Sequence, residues 1–218
     1  MNQHMNIIKT IIWDWNGTLL DDTDICLNSM NHMLLQRQLP LLDHERYREV
    51  FTFPVKAYYT AIGFDFDKEP WDVAAIEFID LYLEVLPQAK LAKGAREMLA
   101  WLKQKGYRQA IISAMQHEAL EKSVDSFGIT PYFDYIGGIG DHYGGGKIDN
   151  ARQFYQNYQL NPSEVVLFGD TLHDAEVAKE LGSDCILIAN GHQSKARLLQ
   201  TGHEVVDDLV QLLSAFES

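Results

Sequence analysis

Ile11-Ile12-Trp13-Asp14-Trp15-Asn16-Gly17-Thr18-Leu19 completes the first readable element of the chain and breaks it. The apolar, β-branched run 7–13 reads as a strand covered on both faces, and the turn-rich residues behind it end that strand abruptly. Outward from there the texture changes twice. Over 20–87 no convincing strand is found. Cys26, Met30, Met33 and Leu34 follow an i, i+4, i+7, i+8 stripe, and Val55, Tyr58, Tyr59 and Ile62 share a face between Pro54 and Gly63. Val73, Ile76, Ile79, Leu83 and Leu86 form a third stripe after Pro70. Beyond Pro87, helices expected over 96–105, 118–127, 150–158 and 175–181 alternate with strands over 107–113, 135–139, 164–168 and 185–189. Such alternation predicts parallel strands joined by right-handed helical crossovers. The expected fold class is therefore α/β: a Rossmann-like, mostly parallel sheet core from 1–19 plus 88–218, interrupted by an all-α insert over 20–87.

A chain of 218 residues with 46% hydrophobic residues can bury a sizeable core, which excludes a disordered or collagen-like polypeptide. Its 18 Lys and Arg face 31 Asp and Glu, a formal net charge of −13. That field repels polyanions, so neither nucleic acid nor an anionic membrane is an expected partner. A small anion could bind only where a cation is concentrated locally. No apolar run approaches the roughly 20 residues of a membrane span. Residues 1–9 carry no basic region followed by an apolar stretch, so no secretory signal is expected. Cys26 and Cys185 stand far apart without a CxxC partner, which fits a cytoplasmic protein, expected as a monomer or homodimer.

In open parallel sheets, ligands gather beyond the carboxyl ends of the strands. The first expected strand ends at Asp14, the second at Ser113 and the fourth at Gly169-Asp170, while a glycine-rich loop after the third leads to Lys147, near the start of the next helix. The two carboxylates suit a divalent cation, and the hydroxyl and ammonium suit an anion; Mg²⁺ prefers such oxygen ligands, completed by waters and a phosphate. Gly144-Gly145-Gly146 before Lys147 does not make a nucleoside-triphosphate loop, because Asp141 stands where the first Gly belongs and Ile148 replaces the Ser or Thr. The run Asp21-Asp22-Thr23-Asp24 reads as the N-terminal cap of the first insert helix. Tyr58, Tyr59 and Trp71 read as insert core, and the eight scattered histidines form no zinc pattern.

With these residues in place the chain resembles the haloacid dehalogenase superfamily, in particular its phosphatases with a small helical cap. Asp14-Trp15-Asn16-Gly17-Thr18 is similar to that family's Asp-x-Asp-Gly-Thr motif, Ser113 and Lys147 match its second and third motifs, and Gly169-Asp170-Thr171-Leu172-His173-Asp174 its acidic fourth. The insert, from Phe51-Thr52-Phe53-Pro54 through Gly63-Phe64-Asp65, leans towards phosphoglycolate-phosphatase-like relatives. The resemblance implies a Mg²⁺-dependent hydrolase that removes phosphate from a small phosphorylated metabolite through an aspartyl phosphate on Asp14. It implies phosphate contacts from Ser113 and Lys147, and metal ligation by Asp14, the Asn16 backbone carbonyl, Asp170 and Asp174.

One position departs from the family. Its phosphatases carry a second Asp two residues after the nucleophile as general acid and base, whereas this chain has Asn16. Loss of that function typically lowers rate by about 10²–10⁴. Three explanations stay open at this point: a substrate with a good leaving group, a substitute acid such as His173, or a weakly active or non-catalytic phosphate binder. Asn16-Gly17 is also prone to deamidation, which would create Asp in some molecules. A phosphonatase-type C–P hydrolase, with Lys56 as its Schiff-base lysine, is the remaining enzymatic alternative.

Overall fold

The computed structural model describes residues 7–140 and 146–217. Asp141, Gly144 and Gly145 of the glycine-rich loop lie outside the described residues. The central sheet holds β1 (Thr10–Trp13), β4 (Arg108–Gln116), β5 (Tyr135–Ile139), β6 (Val165–Gly169), β7 (Asp184–Ile188) and β8 (Glu204–Val206). Their order is β5-β4-β1-β6-β7-β8, every pair parallel. The chain builds outward on one side of β1 through β4 and β5, then crosses to the other side with β6. The crevice at this reversal, beyond the carboxyl ends of β1 and β6, is where such sheets take ligands.

Alternation along each strand divides the core in two. Ile11, Trp13, Ile111, Val166, Phe168, Ile186 and Ile188 face one cluster, completed by α5 (Ala95–Gln104), α6 (His117–Ser126) and α10 (Leu209–Glu217). Ile12, Ala110, Ile112, Val165, Leu167, Cys185 and Leu187 face the other, covered by α7 (Lys147–Tyr158) and α8 (Leu172–Leu181), with Leu198 of the short α9 (Lys195–Leu198). Trp13 packs on Phe168 with ring centroids 4.7 Å apart. A strand buried on both faces reads as an unbroken apolar run, which is why β1 was legible; it begins only at Thr10, with Ile7 exposed outside it.

Two short antiparallel strands, β2 (Leu20–Asp21) and β3 (Lys90–Leu91), tie the two ends of the insert together. Between them lie α1 (Thr23–Gln36), α2 (His44–Val50), α3 (Val55–Ala61) and α4 (Trp71–Val85), packed around Met30, Met33, Leu34, Tyr47, Tyr59 and Tyr82. The stripe expected to bury α4 does not do so: Val73 and Ile76 are 53% and 50% exposed, and Leu83 is exposed too. Ala74, Ala75 and Tyr82 face inward instead. Asp72, Glu77, Asp80 and Glu84 fall on the same side of α4 as Val73 and Ile76, a polar stripe that marks this side as outward, and the smaller Ala74 and Ala75 allow the close approach to α1. Periodicity also passed over α2, α9, β8 and α10. Among the described residues no helix is long and apolar enough to cross a membrane.

Phe168→Ala should destabilise the protein by about 3–5 kcal/mol in urea unfolding. Val73→Ser and Ile76→Ser should each change stability by less than about 0.5 kcal/mol, as exposed positions do.

Candidate active site

Asp14 follows the last residue of β1, its N–H bonded to the Phe168 carbonyl of β6 at 2.8 Å. Asp170 follows β6, and Asp174 lies in the first turn of α8. One carboxylate oxygen from each of these three residues falls within a single 4.8 Å cluster, and all three residues are buried. Lys147, 3% exposed at the start of α7, places Nζ 2.7 Å from Asp14 Oδ1 and 2.6 Å from Asp174 Oδ1. Of the residues expected here, Asp14, Asp170, Asp174 and Lys147 meet directly, and Ser113 lines the same cavity as Asp14 and Lys147.

Their neighbours fix them. Asp174 Oδ2 accepts from the N–H groups of Asp170 and Thr171 at 3.2 and 3.0 Å and from the Thr171 hydroxyl at 2.6 Å, closing a capping box on α8. With Oδ1 on Lys147, this carboxylate is committed to holding the lysine and the loop. Asp170 accepts from the Thr18 hydroxyl at 2.9 Å and the His192 N–H at 2.6 Å. Gly17 sits at φ +72°, where a methyl group would come within 2.3 Å of Asp170 Oδ2. Ser113 lies where the pairing of β4 with β5 shifts register, between Ile112 and Gln116; such a bulge re-aims side chains. Its hydroxyl accepts from Met115 N–H at 3.1 Å and donates to Asn16 Oδ1 at 3.5 Å.

Three carboxylates against one ammonium leave this rim short of positive charge. Burial first, then the Asp174 charge, lifts the Asp14 carboxyl to about 7 despite Lys147. Burial likewise lifts Asp170 to about 6, against the pull of His192. Asp174 stays below the usual carboxylate range, because Lys147 and Thr171 outweigh its burial. Burial lowers Lys147, but Asp14 and Asp174 more than offset this, so it stays charged. The arrangement fits a hard divalent cation: oxygen donors only, with lone pairs left over on Asp14 and Asp170.

A second buried group adjoins the first. Asp22 does not cap α1; no side-chain cap bond is made there. Its carboxylate instead accepts from Asn16 Nδ2 at 2.8 Å, Gly17 N–H at 2.9 Å and the Tyr82 hydroxyl at 2.8 Å, and faces His192 Nε2 at 3.3 Å. The other ring nitrogen, His192 Nδ1, pairs with the Tyr47 hydroxyl at 2.9 Å. Burial would lower His192, but Asp22 raises it to about 9, while His192, Asn16 and Tyr82 hold Asp22 below its ordinary value against its own burial. Sequence reading missed Asp22, Tyr82 and His192. His192 did have a signal, since it follows the carboxyl end of β7.

Asp14, Asn16, Ser113 and Lys147 form the polar end of a cavity of about 220 Å³ that runs into the insert, lined also by Tyr58, Tyr59 and Trp71. These three belong to the insert core and to the cavity wall at once. His173 is not in that wall: its ring stacks on Phe53 with centroids 4.8 Å apart and Nδ1 faces Glu176 at 3.3 Å. Lys56 is exposed with Nζ 5.3 Å from the Phe66 ring centroid and also does not line the cavity, which removes the geometry a Schiff-base lysine needs.

The description "haloacid dehalogenase-like hydrolase" matches residues 11–188 as a family. A phosphoglycolate phosphatase of Pseudomonas putida is 26% identical over 214 residues, covering 94% of this chain and 78% of that one. An N-acetylmuramic acid 6-phosphate phosphatase of the same species is 23% identical over 189 residues, covering 85% of this chain and 84% of that one. Among solved structures, a haloacid dehalogenase-like family hydrolase from Streptococcus pneumoniae superposes with a TM-score of 0.84 at 22% identity, covering 97% of this chain and 99% of that one. CbbY from Rhodobacter sphaeroides, solved with phosphate, gives 0.71 at 20% identity, covering 94% and 96%. At these identities the two structures speak for the fold.

Asp22→Asn should destabilise the protein by roughly 3–5 kcal/mol at pH 7, because it strands His192 as an unpaired buried charge and sets an amide donor against donors. A histidine raised to about 9 contributes stability that is complete below its unfolded value near 6.5 and lost as pH rises through 9. Urea unfolding against pH should show that alkaline loss in the parent protein, where Asp22, Asp170, Tyr47 and Cys26 surround the ring, and its absence in the variant.

Proposed function

Because the chain belongs to the haloacid dehalogenase-like hydrolase family, we propose that it is a phosphatase in which Asp14 takes phosphate from a small phosphorylated metabolite and passes it to water. The observation that carries this reading is Asp14 at the polar end of the cavity, with Lys147 2.7 Å away and Asp170 beside it. Asp14 attacks phosphorus through Oδ2, the oxygen that Lys147 leaves free, and an aspartyl phosphate divides one hard displacement into two easier ones. Lys147 and the Ser113 hydroxyl hold the phosphoryl oxygens. Asp174 keeps Lys147 in place and in charge. Mg²⁺, when bound by Asp14, Asp170 and the Asn16 carbonyl, supplies the positive charge that two phosphate charges and three carboxylates require.

Asn16 orients rather than transfers protons. Its Nδ2 is held by Asp22 and Tyr82, which turns Oδ1 towards Ser113. Residues 20–87 act as the cap on a core of 1–19 plus 88–218, and its helices exclude water from the cavity during reaction. Buried free thiols at Cys26 and Cys185 accord with a reducing, cytoplasmic setting. A non-catalytic phosphate binder would have no use for the free Asp14 oxygen beside Lys147.

Asp14→Asn should lower kcat on acetyl phosphate by about 10⁴ or more, as removal of a nucleophile does. Chelation with EDTA should abolish turnover and added Mg²⁺ restore it. Steady-state phosphate release measures both, and undiminished hydrolysis by Asp14→Asn refutes the assignment.

A further inference from the structure

Beyond its polar end, the cavity wall is apolar and aromatic: Phe53, Tyr58, Trp71, Phe78, Ile79 and Met115. The insert has five basic side chains, Arg37, Arg46, Arg48, Lys56 and Lys68, and none of them lines it. Arg37 is held by Glu69 and Glu77. His192 does reach the wall, but both ring nitrogens are engaged, by Asp22 and Tyr47. A second anionic group on a substrate, whether carboxylate or phosphate, would therefore be desolvated with no free cation beside it, which is costly. The polar groups offered there are neutral: the Tyr58 hydroxyl is buried and has no partner among the described residues, and the Gln116 amide, whose Oε1 accepts from Ala119 N–H, also reaches the wall. At about 220 Å³ the space is smaller than the roughly 300–1,000 Å³ of pockets for drug-sized ligands.

An independent observation concerns the proton that an alkyl leaving group needs. Asn16 cannot supply it. The Tyr82 hydroxyl donates to Asp22, and Asp22 accepts from four directions, so neither presents a proton to the cavity. His173 stands outside the wall. Among the described residues no carboxyl or imidazole replaces the missing one, and burial raises the Tyr58 hydroxyl, which makes it a poorer acid than a free phenol.

Resting on the phosphatase reading above, we propose that the substrate is a small aryl phosphate whose phenol-type leaving group carries no further negative charge and sits among Phe53, Trp71 and Phe78. Asp14 Oδ2 forms the new bond to phosphorus as the bond from phosphorus to the aryl oxygen breaks. The electron pair leaves on that oxygen as a phenolate, the conjugate base of an acid with pKa about 10, against nearly 16 for water. It needs no donor within the site and takes its proton from solvent afterwards. Water then displaces phosphate from Asp14 and releases one proton, so the sum is ester plus water giving phenol and phosphate.

The test compares kcat/KM, with Mg²⁺, for phenyl phosphate, glycerol 3-phosphate and phosphoglycolate, with acetyl phosphate as a reference that needs neither an aromatic pocket nor an acid. Phenyl phosphate should exceed both alkyl esters by about 100-fold or more, the range a general acid commands. Asn16→Asp should shrink that ratio at least tenfold by raising alkyl turnover. Phe78→Ala should lower kcat/KM for phenyl phosphate at least tenfold more than for acetyl phosphate, a ratio independent of how much variant folds. If phosphoglycolate or glycerol 3-phosphate matches phenyl phosphate while acetyl phosphate is hydrolysed through Asp14, the aryl assignment is overturned and the phosphatase reading stands. If none of the four is hydrolysed, both fall together.

Discussion

One ammonium group sits between two carboxylates in a place where water hardly reaches. Lys147 Nζ lies 2.7 Å from Asp14 and 2.6 Å from Asp174, at 3% exposure. Buried charge of this kind is tolerable only when every partner is in position, and removing one partner typically costs 3–5 kcal/mol. The rest of the rim follows from that demand. Asp174 is pinned by the first turn of α8, Asp170 by Thr18 and His192, and Gly17 has no side chain because Asp170 occupies the space. Even so the balance is incomplete, since Asp170 adds a third carboxylate with no cation of its own but His192, which Asp22 shares. The oxygen lone pairs left over on Asp14 and Asp170 suit a hard cation at this rim.

The insert contributes a different physics. Where the core supplies charge, α1 to α4 supply aromatic surface, and the two meet at Asn16. That residue belongs to the first loop of the core, yet Tyr82 of α4 and Asp22 at the entrance to α1 hold its amide. Tyr47 of α2 reaches His192 in the same way, and Gln193 donates to the Phe51 carbonyl. The insert is thus fastened to the reaction centre by buried hydrogen bonds, so that its position and the orientation of Asn16 are set together. The cavity wall that the insert supplies is largely aromatic and carries none of the insert's Lys or Arg side chains.

Much of this was legible in the sequence, for stated reasons. β1 and β6 are covered on both faces and so read as unbroken apolar runs, and the polar residue that ends each one marks the sheet's ligand edge. Asp14, Ser113 and Asp170 were found by that rule and Lys147 by its place after the third strand, whereas Asp174 came only from the resemblance of residues 169–174 to the family's fourth motif. What stayed hidden depends on contacts between distant segments. Asp22 looks like a helix cap because Tyr82 and His192, which occupy its carboxylate, stand 60 and 170 positions away. The outward face of α4 was misassigned because the apolar stripe through Val73 and Ile76 was read without the acidic residues Glu77, Asp80 and Glu84 that share that side. β4 runs on past Ser113 to Gln116 because its pairing with β5 resumes after a shift that no local pattern announces.

A cation held by Asp14 and Asp170 beside Lys147 would tie the carboxylates of the rim together. Calorimetric titration of the protein with Mg²⁺ tests it without any substrate. The account predicts one saturable site in the parent protein and its loss in Asp170→Asn, with the folded circular dichroism spectrum retained. Binding unchanged by that substitution, or no binding in the parent protein, would contradict it.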